Sequence, residues 1–146
     1  MILTQLTEFY LRDVNKLKEE VSLYKNESDL WILKGDIKNS AGTLTLHLIG
    51  NLKHFIGAQL GSTGYIRNRD KEFSDRNIPR ENMLKEIDEV IAMLKKVLPS
   101  IKDADLNKEY PIEFLGAKRT IGYILMMLSI HLGYHLGQVN YHRRLI

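Results

Sequence analysis

Apolar residues recur at intervals of three and four over most of the chain, a spacing typical of amphipathic α-helices. The first such segment covers about six helical turns. Its apolar positions are Ile2, Leu6, Phe9, Tyr10, Leu17, Val21 and Tyr24. We predict a long first helix that buries this stripe.

A second helix is predicted from Asn39 or Ser40 to about Leu60. Either polar residue at its start can cap the first turn, and Gly61 and Gly64 mark its end. Its predicted core face holds Leu44, Leu48, Leu52 and Phe55.

The same periodicity predicts a third and a fourth helix. Pro79 suits the first turn of the third helix, and Pro99 is expected to disturb its end. The fourth helix is predicted from about Thr120 to the C-terminus. The core positions are Leu84, Ile87, Ile91, Leu94, Leu98 and Ile101 on helix three, and Leu125, Leu128, Leu132, Leu136 and Val139 on helix four.

Three connections join these helices. Residues 26–36 predict a turn or short helix that turns Trp31 inward, and residues 103–116 form a second long connection. Residues 61–78 have no sustained period, and a loop of that length is usually functional or mobile. No strand pattern competes, so we predict one all-α domain over residues 1–146, a four-helix bundle with long connections.

The 146-residue chain contains no cysteine, which excludes disulfides, thiolate metal sites and a cysteine nucleophile. The net charge of +3 comes from the C-terminal end, because the chain before Phe114 has 17 basic and 18 acidic residues. The four remaining basic residues are Lys118, Arg119, Arg143 and Arg144. They are too few to indicate a nucleic-acid partner, but they are expected to help attract a small anion.

The N-terminal residues lack the basic and long apolar regions of a signal peptide. The most apolar stretch, residues 121–130, is too short to span a bilayer. We therefore expect a cytoplasmic protein without membrane association.

All five histidines fall on two predicted helices: His47 and His54 on helix two, and His131, His135 and His142 on helix four. The i, i+4 spacing of His131 and His135 puts both rings on one face. That pair borders the apolar arc of helix four, as His47 borders the arc of helix two. Three imidazoles that converge with an open position suit zinc, nickel, iron or manganese.

Other polar residues have competing interpretations. We expect His54 and His142 to be hydrogen-bonded structural residues rather than ligands. Asn51 and Gln138 either orient a ligand or hydrogen-bond within the bundle. Asp13, within the stripe of helix one, is expected to form a structural salt bridge.

No general base is evident, because there is no H-E-x-x-H motif and neither histidine-bearing helix carries a carboxylate near the histidines. The charged segment of residues 67–73 allows two interpretations. It either forms a loop over the site or is a solvated, internally paired loop. Its notable residues are Arg67, Arg69, Asp70, Glu72 and Phe73.

The run from His131 to Gln138, followed by Tyr141-His142-Arg143-Arg144-Leu145, closely resembles the last helix of the DinB-like, or YfiT-like, metalloenzyme superfamily. The segment from Leu46 to Leu52 resembles its second helix. In that superfamily a helix-two histidine and an H-x-x-x-H pair coordinate a divalent metal inside a four-helix bundle. The resemblance therefore implies His47, His131 and His135 as metal ligands. Residues 67–73 are similar to a segment of one uncharacterised subgroup.

For activity, the resemblance implies a divalent-metal-dependent enzyme acting on a small-molecule substrate. Relatives include transferases that use low-molecular-weight thiols such as bacillithiol, mycothiol or glutathione, and a maleylpyruvate isomerase. Related bundles often form homodimers. Because this chain has no cysteine, any thiol would be an external one.

Two hypotheses follow. In the first, the chain is a metal-dependent transferase or hydrolase in which the ion lowers the pKa of a water or an external thiol. In the second, the bundle is a non-catalytic metal- or ligand-binding module, and the missing general base supports it.

Overall fold

The computed structural model describes residues 2–146, and its helices follow the predicted order. They are α1 (Ile2–Ser22), α2 (Ala41–Leu52), α3 (Arg69–Ser74), α4 (Arg80–Val97) and α5 (Ile121–Leu145). A π-helical turn, Lys53–Ala58, and the segment Gln59–Gly61 continue α2. Within residues 2–146 there is no strand beyond isolated bridges, so the all-α prediction is confirmed.

The helix boundaries follow from local chemistry. The Ser40 hydroxyl accepts a hydrogen bond from the Thr43 N–H at 3.2 Å, which caps α2 as predicted. The Thr120 hydroxyl caps α5 in the same way. Pro79 immediately precedes α4, and the α-helix ends at Val97, where Leu98–Ser100 tightens into a 3₁₀ turn containing Pro99.

The core lies between the four long helices, and most of the predicted stripes face it. On α1 the predicted stripe is only partly right, because Ile2 and Phe9 are 57% and 46% exposed. On α4 the predicted Leu84 and Ile91 are only half-buried. The buried positions on α4 are Met83, Ile87, Val90, Leu94 and Val97. Apolar residues stand on both sides of that stripe, so the packing of α4 against α1 and α2 decides its rotation.

Buried tyrosines tie the elements together. The Tyr10 hydroxyl donates to the Leu125 carbonyl at 2.6 Å, which links α1 to α5. The Tyr110 hydroxyl donates to the Phe55 carbonyl, inside the π-helical turn, at 2.7 Å. Each bond pairs a polar group that would otherwise be buried alone.

The connection before α2 forms the predicted short helix, a 3₁₀ segment at Glu27–Trp31. Leu30 is its fully buried residue, and the half-buried Trp31 ring covers Gly42. A Cβ at Gly42 would lie 2.8 Å from ring atoms of Trp31, so only glycine lets the ring come this close.

The connection over residues 61–78 contains α3, a helix that the sequence pattern does not predict. Asn68 caps it by accepting from the Lys71 N–H at 3.1 Å. α3 packs against α2, next to His47 and its helical neighbours. Within residues 2–146 no helix is both long enough and apolar enough to cross a membrane.

Candidate metal centre

Three histidines from two helices converge at one edge of the bundle. One ring nitrogen from each of His47, His131 and His135 lies within 4.8 Å of the other two. Nε2 of His47 is 3.1 Å from Nε2 of His131, and the ring centroids of His131 and His135 are 4.5 Å apart. The predicted i, i+4 pair therefore shares a face, and α2 brings His47 to it.

The three rings differ in burial. His47 is buried, whereas His131 and His135 are half-buried. The cluster is therefore closed on the α2 side and accessible along α5, an arrangement that leaves room for an incoming ligand.

Glu72 of α3 holds the ring of His47. Its Oε1 lies 3.1 Å from Nδ1 of His47, and the carboxylate is 6% exposed. Because an ionised carboxylate can only accept, the His47 proton resides on Nδ1 and the lone pair on Nε2 faces the other histidines. A carboxylate on the far nitrogen is the usual partner of a metal-binding histidine.

Arg67 completes this arrangement. Its Nε and Nη2 donate to the two carboxylate oxygens of Glu72, each at 2.8 Å. Burial alone would raise the pKa of Glu72, but the hydrogen bonds and charge of Arg67, with a further contribution from His47, bring that pKa below its ordinary value. Glu72 is therefore charged at neutral pH, and Arg67 balances the charge.

Glycine at position 50 makes room for Glu72. A Cβ there would lie 2.0 Å from Oε2 and 2.6 Å from Cδ of Glu72. The carboxylate thus occupies a notch in α2, one helical turn after His47, that no other residue would leave open.

Gln138 orients the third histidine. Its Oε1 lies 2.6 Å from Nδ1 of His135. An amide oxygen can only accept, so the proton of His135 also resides on Nδ1 and its Nε2 is available as a ligand. This contact is a hydrogen bond within the bundle, and it also fixes the orientation of the His135 ring.

The donor set fits a divalent transition metal. Burial, with smaller effects of His135, His47 and Arg67, lowers the pKa of His131 to about 4. Burial also lowers the pKa of His135, so both rings are neutral at pH 7, the form in which a histidine can bind a metal. Three nitrogens bound at about 2.1 Å can be at most about 4.2 Å apart, so a cluster within 4.8 Å needs only small ring rotations.

Residues 67–73 combine both interpretations: Glu72 and Phe73 contact His47, while Arg67 pairs with Glu72 inside the segment and residues 68–71 are exposed. The Phe73 ring packs on the His47 ring with centroids 4.9 Å apart, and the guanidinium of Arg69 lies over Phe73. Asp70 stays exposed on the outer side of α3.

The remaining polar candidates lie outside the cluster. His142 is buried between the Tyr24 hydroxyl at 2.6 Å and the Ile32 carbonyl at 2.8 Å. His54 is half-buried against Phe55. Asp13 forms the expected salt bridge, with Arg12. Asn51 is buried, and within residues 2–146 its Oδ1 has no hydrogen-bond partner.

The basic C-terminal end contributes less to the site than its sequence suggests. Arg143 pairs with the buried carboxylate of Glu20 at 2.5 Å, so its charge serves the contact between α1 and α5. The expectation that the basic residues of this end attract an anion is thus weakened for Arg143. The guanidinium nearest the histidines is that of Arg67, 3.5 Å from Nδ1 of His47.

Sequence reasoning identified the histidines but not the partners that orient His47. In the sequence, Glu72 is one member of a charged segment with two interpretations, and the helical pattern does not single out Gly50. A glycine in a helix interior usually has a packing reason, and this was the signal that something enters α2 beside His47.

Comparison with known proteins supports the fold. The family model described as "Protein of unknown function (DUF1572)" matches residues 4–146. No curated protein matches the chain significantly. The fold is similar to that of the crystal structure of a DinB-like protein, YjoA, from Bacillus subtilis, with a TM-score of 0.67 and 18% identity over 96% of this chain and 90% of that one. The chain therefore belongs to the family described as protein of unknown function DUF1572, and its helices adopt the DinB-like fold.

Proposed function

We propose that His47, His131 and His135 bind a divalent cation and that the protein is a metal-dependent transferase or hydrolase acting on a small molecule. The observation that carries this proposal is the convergence of one ring nitrogen from each of the three histidines within 4.8 Å. Two of the rings are also held at Nδ1 by acceptors, Glu72 and Gln138, that leave Nε2 unprotonated.

A divalent cation held by three neutral imidazoles keeps its full charge and would lower the pKa of a water or an external thiol bound beside them. Zinc, nickel, iron and manganese all accept such a donor set. The low pKa of His131 keeps that ring neutral, and Arg67 neutralises Glu72. The charge of a bound cation would therefore be uncompensated, and that charge would attract an anionic ligand.

The second candidate function is a non-catalytic metal- or ligand-binding module. Glu72 favours it, because this carboxylate is already bonded to both His47 and Arg67 and is not free to move a proton to or from a substrate. Within residues 2–146 the histidine cluster includes no carboxylate ligand.

Metal binding is tested first. The chelator-treated chain is titrated with Zn²⁺, Ni²⁺, Mn²⁺ and anaerobic Fe²⁺ by calorimetry, and the stoichiometry is measured by elemental analysis. We expect one ion per chain and at least a hundredfold loss of affinity in His135→Ala. His54→Ala is the matched control, because His54 is also half-buried and follows His47 along the same helical segment. Absence of binding, or an equal loss in both variants, would contradict the metal site.

Catalysis is tested second, with the metal-loaded chain, a panel of thiols and electrophiles, and a panel of ester and amide substrates. Turnover that disappears in a folded His135→Ala variant supports the enzyme. Metal binding without turnover across both panels supports the binding module.

A further inference from the structure

A groove with a volume of about 650 Å³ lies beside the histidine cluster. It runs between the last turns of α5 and the segment of residues 36–39 before α2, and its wall includes both His135 and Gln138. Grooves of this size accommodate small organic molecules. Because His135 belongs to both, the groove borders the candidate metal centre on its α5 side.

The walls of the groove are largely apolar and aromatic. Ile37 and Leu44 line one side, and Tyr134 and Tyr141 lie along α5. Both tyrosines are 65% exposed, and the Tyr134 ring meets the His135 ring edge-on with centroids 5.2 Å apart. Exposed aromatic rings at this place offer flat faces on which a planar ligand can stack.

The polar groups divide the groove into two ends. Asp36 and Lys38, at the loop end, contribute one charge of each sign. The Oε1 of Gln138 accepts a hydrogen bond from His135, which leaves the side-chain amide nitrogen of Gln138 able to donate to a ligand. His142 also lines the groove, but both of its ring nitrogens are engaged, with Tyr24 and Ile32.

A second cavity, of about 320 Å³, lies on the other side of the site, along α3 and α4. It touches Glu72 and Gly50 but none of the three histidines. Of these two cavities, the groove is the one that touches a histidine of the cluster, His135.

We infer that this groove is the substrate site and that its ligand is a small organic anion with a flat apolar body. The acidic group lies at the histidine end, where Gln138 donates to it, and the body lies along Tyr134 and Tyr141 against Ile37 and Leu44. The inference that the ligand has an anionic end depends on the proposed function. The inference that it has a flat apolar body depends only on the residues that line the groove.

Two hydroxamates that differ only in their bodies test the inference. Calorimetry on the zinc-loaded chain should show benzohydroxamate binding at least tenfold more tightly than acetohydroxamate. Tyr134→Ala should reduce that ratio to below threefold while zinc affinity stays within threefold of the parent. Tyr123→Ala is the matched control, because Tyr123 is an exposed tyrosine of the same helix outside the groove. A parent ratio near one, or the same reduction in Tyr123→Ala, overturns the inference.

A second measurement separates this inference from the proposed function. Amide chemical shifts of the metal-free, ¹⁵N-labelled chain are followed during titration with benzohydroxamate. If zinc binds, the affinity ratio decides the inference and the proposed metal site stands in either case. If zinc does not bind, the proposed function and the anionic end both fail, and the shifts decide the rest of the inference: shifts clustered at Lys38, Asn39 and Gln138 support a groove that binds the flat apolar body, and their absence refutes it.

Discussion

Nδ1 of His47 donates a hydrogen bond to Oε1 of Glu72 at 3.1 Å, although the two residues are 25 positions apart. One lies in a bundle helix and the other in the connection that packs on it. The contact sets the tautomer of His47, and Arg67 and Gly50 in turn hold Glu72 in place. The connection that packs on α2 therefore leaves Nε2 of His47, the nitrogen that faces the other histidines, unprotonated.

Replacement of Glu72 should weaken metal binding without abolishing it. We expect Glu72→Ala to reduce zinc affinity about 10- to 100-fold, because His47 loses the acceptor that orients its ring. Glu72→Gln should have an intermediate effect, since the amide oxygen still accepts. Competition with a chromogenic chelator measures both affinities.

Asp70→Asn is the control for Glu72, because Asp70 is an exposed acidic residue of the same short helix. It should leave zinc affinity unchanged. Equal losses in Asp70→Asn and Glu72→Gln would show that net charge, rather than orientation of His47, is responsible.

Gly50→Ala should displace Glu72 and destabilise the fold. The added Cβ would lie 2.0 Å from Oε2 of Glu72, and overpacking of this kind costs about 1–3 kcal/mol, more than the gain of up to about 1 kcal/mol in helix propensity. Urea unfolding measures the stability, and zinc affinity should fall with it. Gly137→Ala on α5 has open space around its added Cβ, so it should be neutral or stabilising.

The long helices were predictable because their apolar residues recur every three or four positions for at least three turns, a spacing that α2 keeps although it is buried on nearly every side. α3 was not, because its six residues, Arg69–Ser74, are too few for a period to show. The π-helical turn at Lys53–Ala58 has no sequence pattern either. Its Phe55 carbonyl accepts from Tyr110, a contact that depends on how a distant connection packs.

In the candidate site, too, local spacing predicts some features, and packing between distant segments decides the others. His131 and His135 share a face through local geometry, so their spacing alone predicts the pair. The orientation of His47 depends on Glu72, and only the packing of α3 on α2 brings the two together. The same holds for Arg143, because its partner Glu20 lies on α1, 123 positions away, and no local pattern connects them.

His142 should prove structural. Its ring bridges the Tyr24 hydroxyl and the Ile32 carbonyl in a buried position, so His142→Ala removes both contacts, leaves a cavity and should cost about 2–4 kcal/mol. Zinc stoichiometry should remain that of the parent chain. Urea unfolding and elemental analysis on the same preparations test both statements, and loss of the metal from a folded variant would instead make His142 a ligand.

Glu20 should make stability depend on pH in the acidic range. It is 1% exposed and accepts from Nε of Arg143 at 2.5 Å and from Nδ2 of Asn140 at 2.7 Å. Burial alone would raise the pKa of Glu20, but these hydrogen bonds and the charge of Arg143 bring it below its ordinary value. The folded chain therefore keeps this carboxylate charged at a lower pH than the unfolded chain does.

With an unfolded pKa of about 4.3, the stabilisation from Glu20 is complete above that pH and is lost as the pH falls through the lower folded value. Glu20→Gln should thus be less stable than the parent by about 1–3 kcal/mol at pH 7, and the difference should narrow steadily as the pH falls from 5 towards 2. Urea unfolding at several pH values measures this difference. Glu19→Gln, at an exposed neighbouring position, should show little difference at any pH, because the Glu19 pair with Lys16 lies at the surface. A Glu20→Gln difference that stays constant with pH would mean that the carboxylate is stabilised by packing and not by its charge.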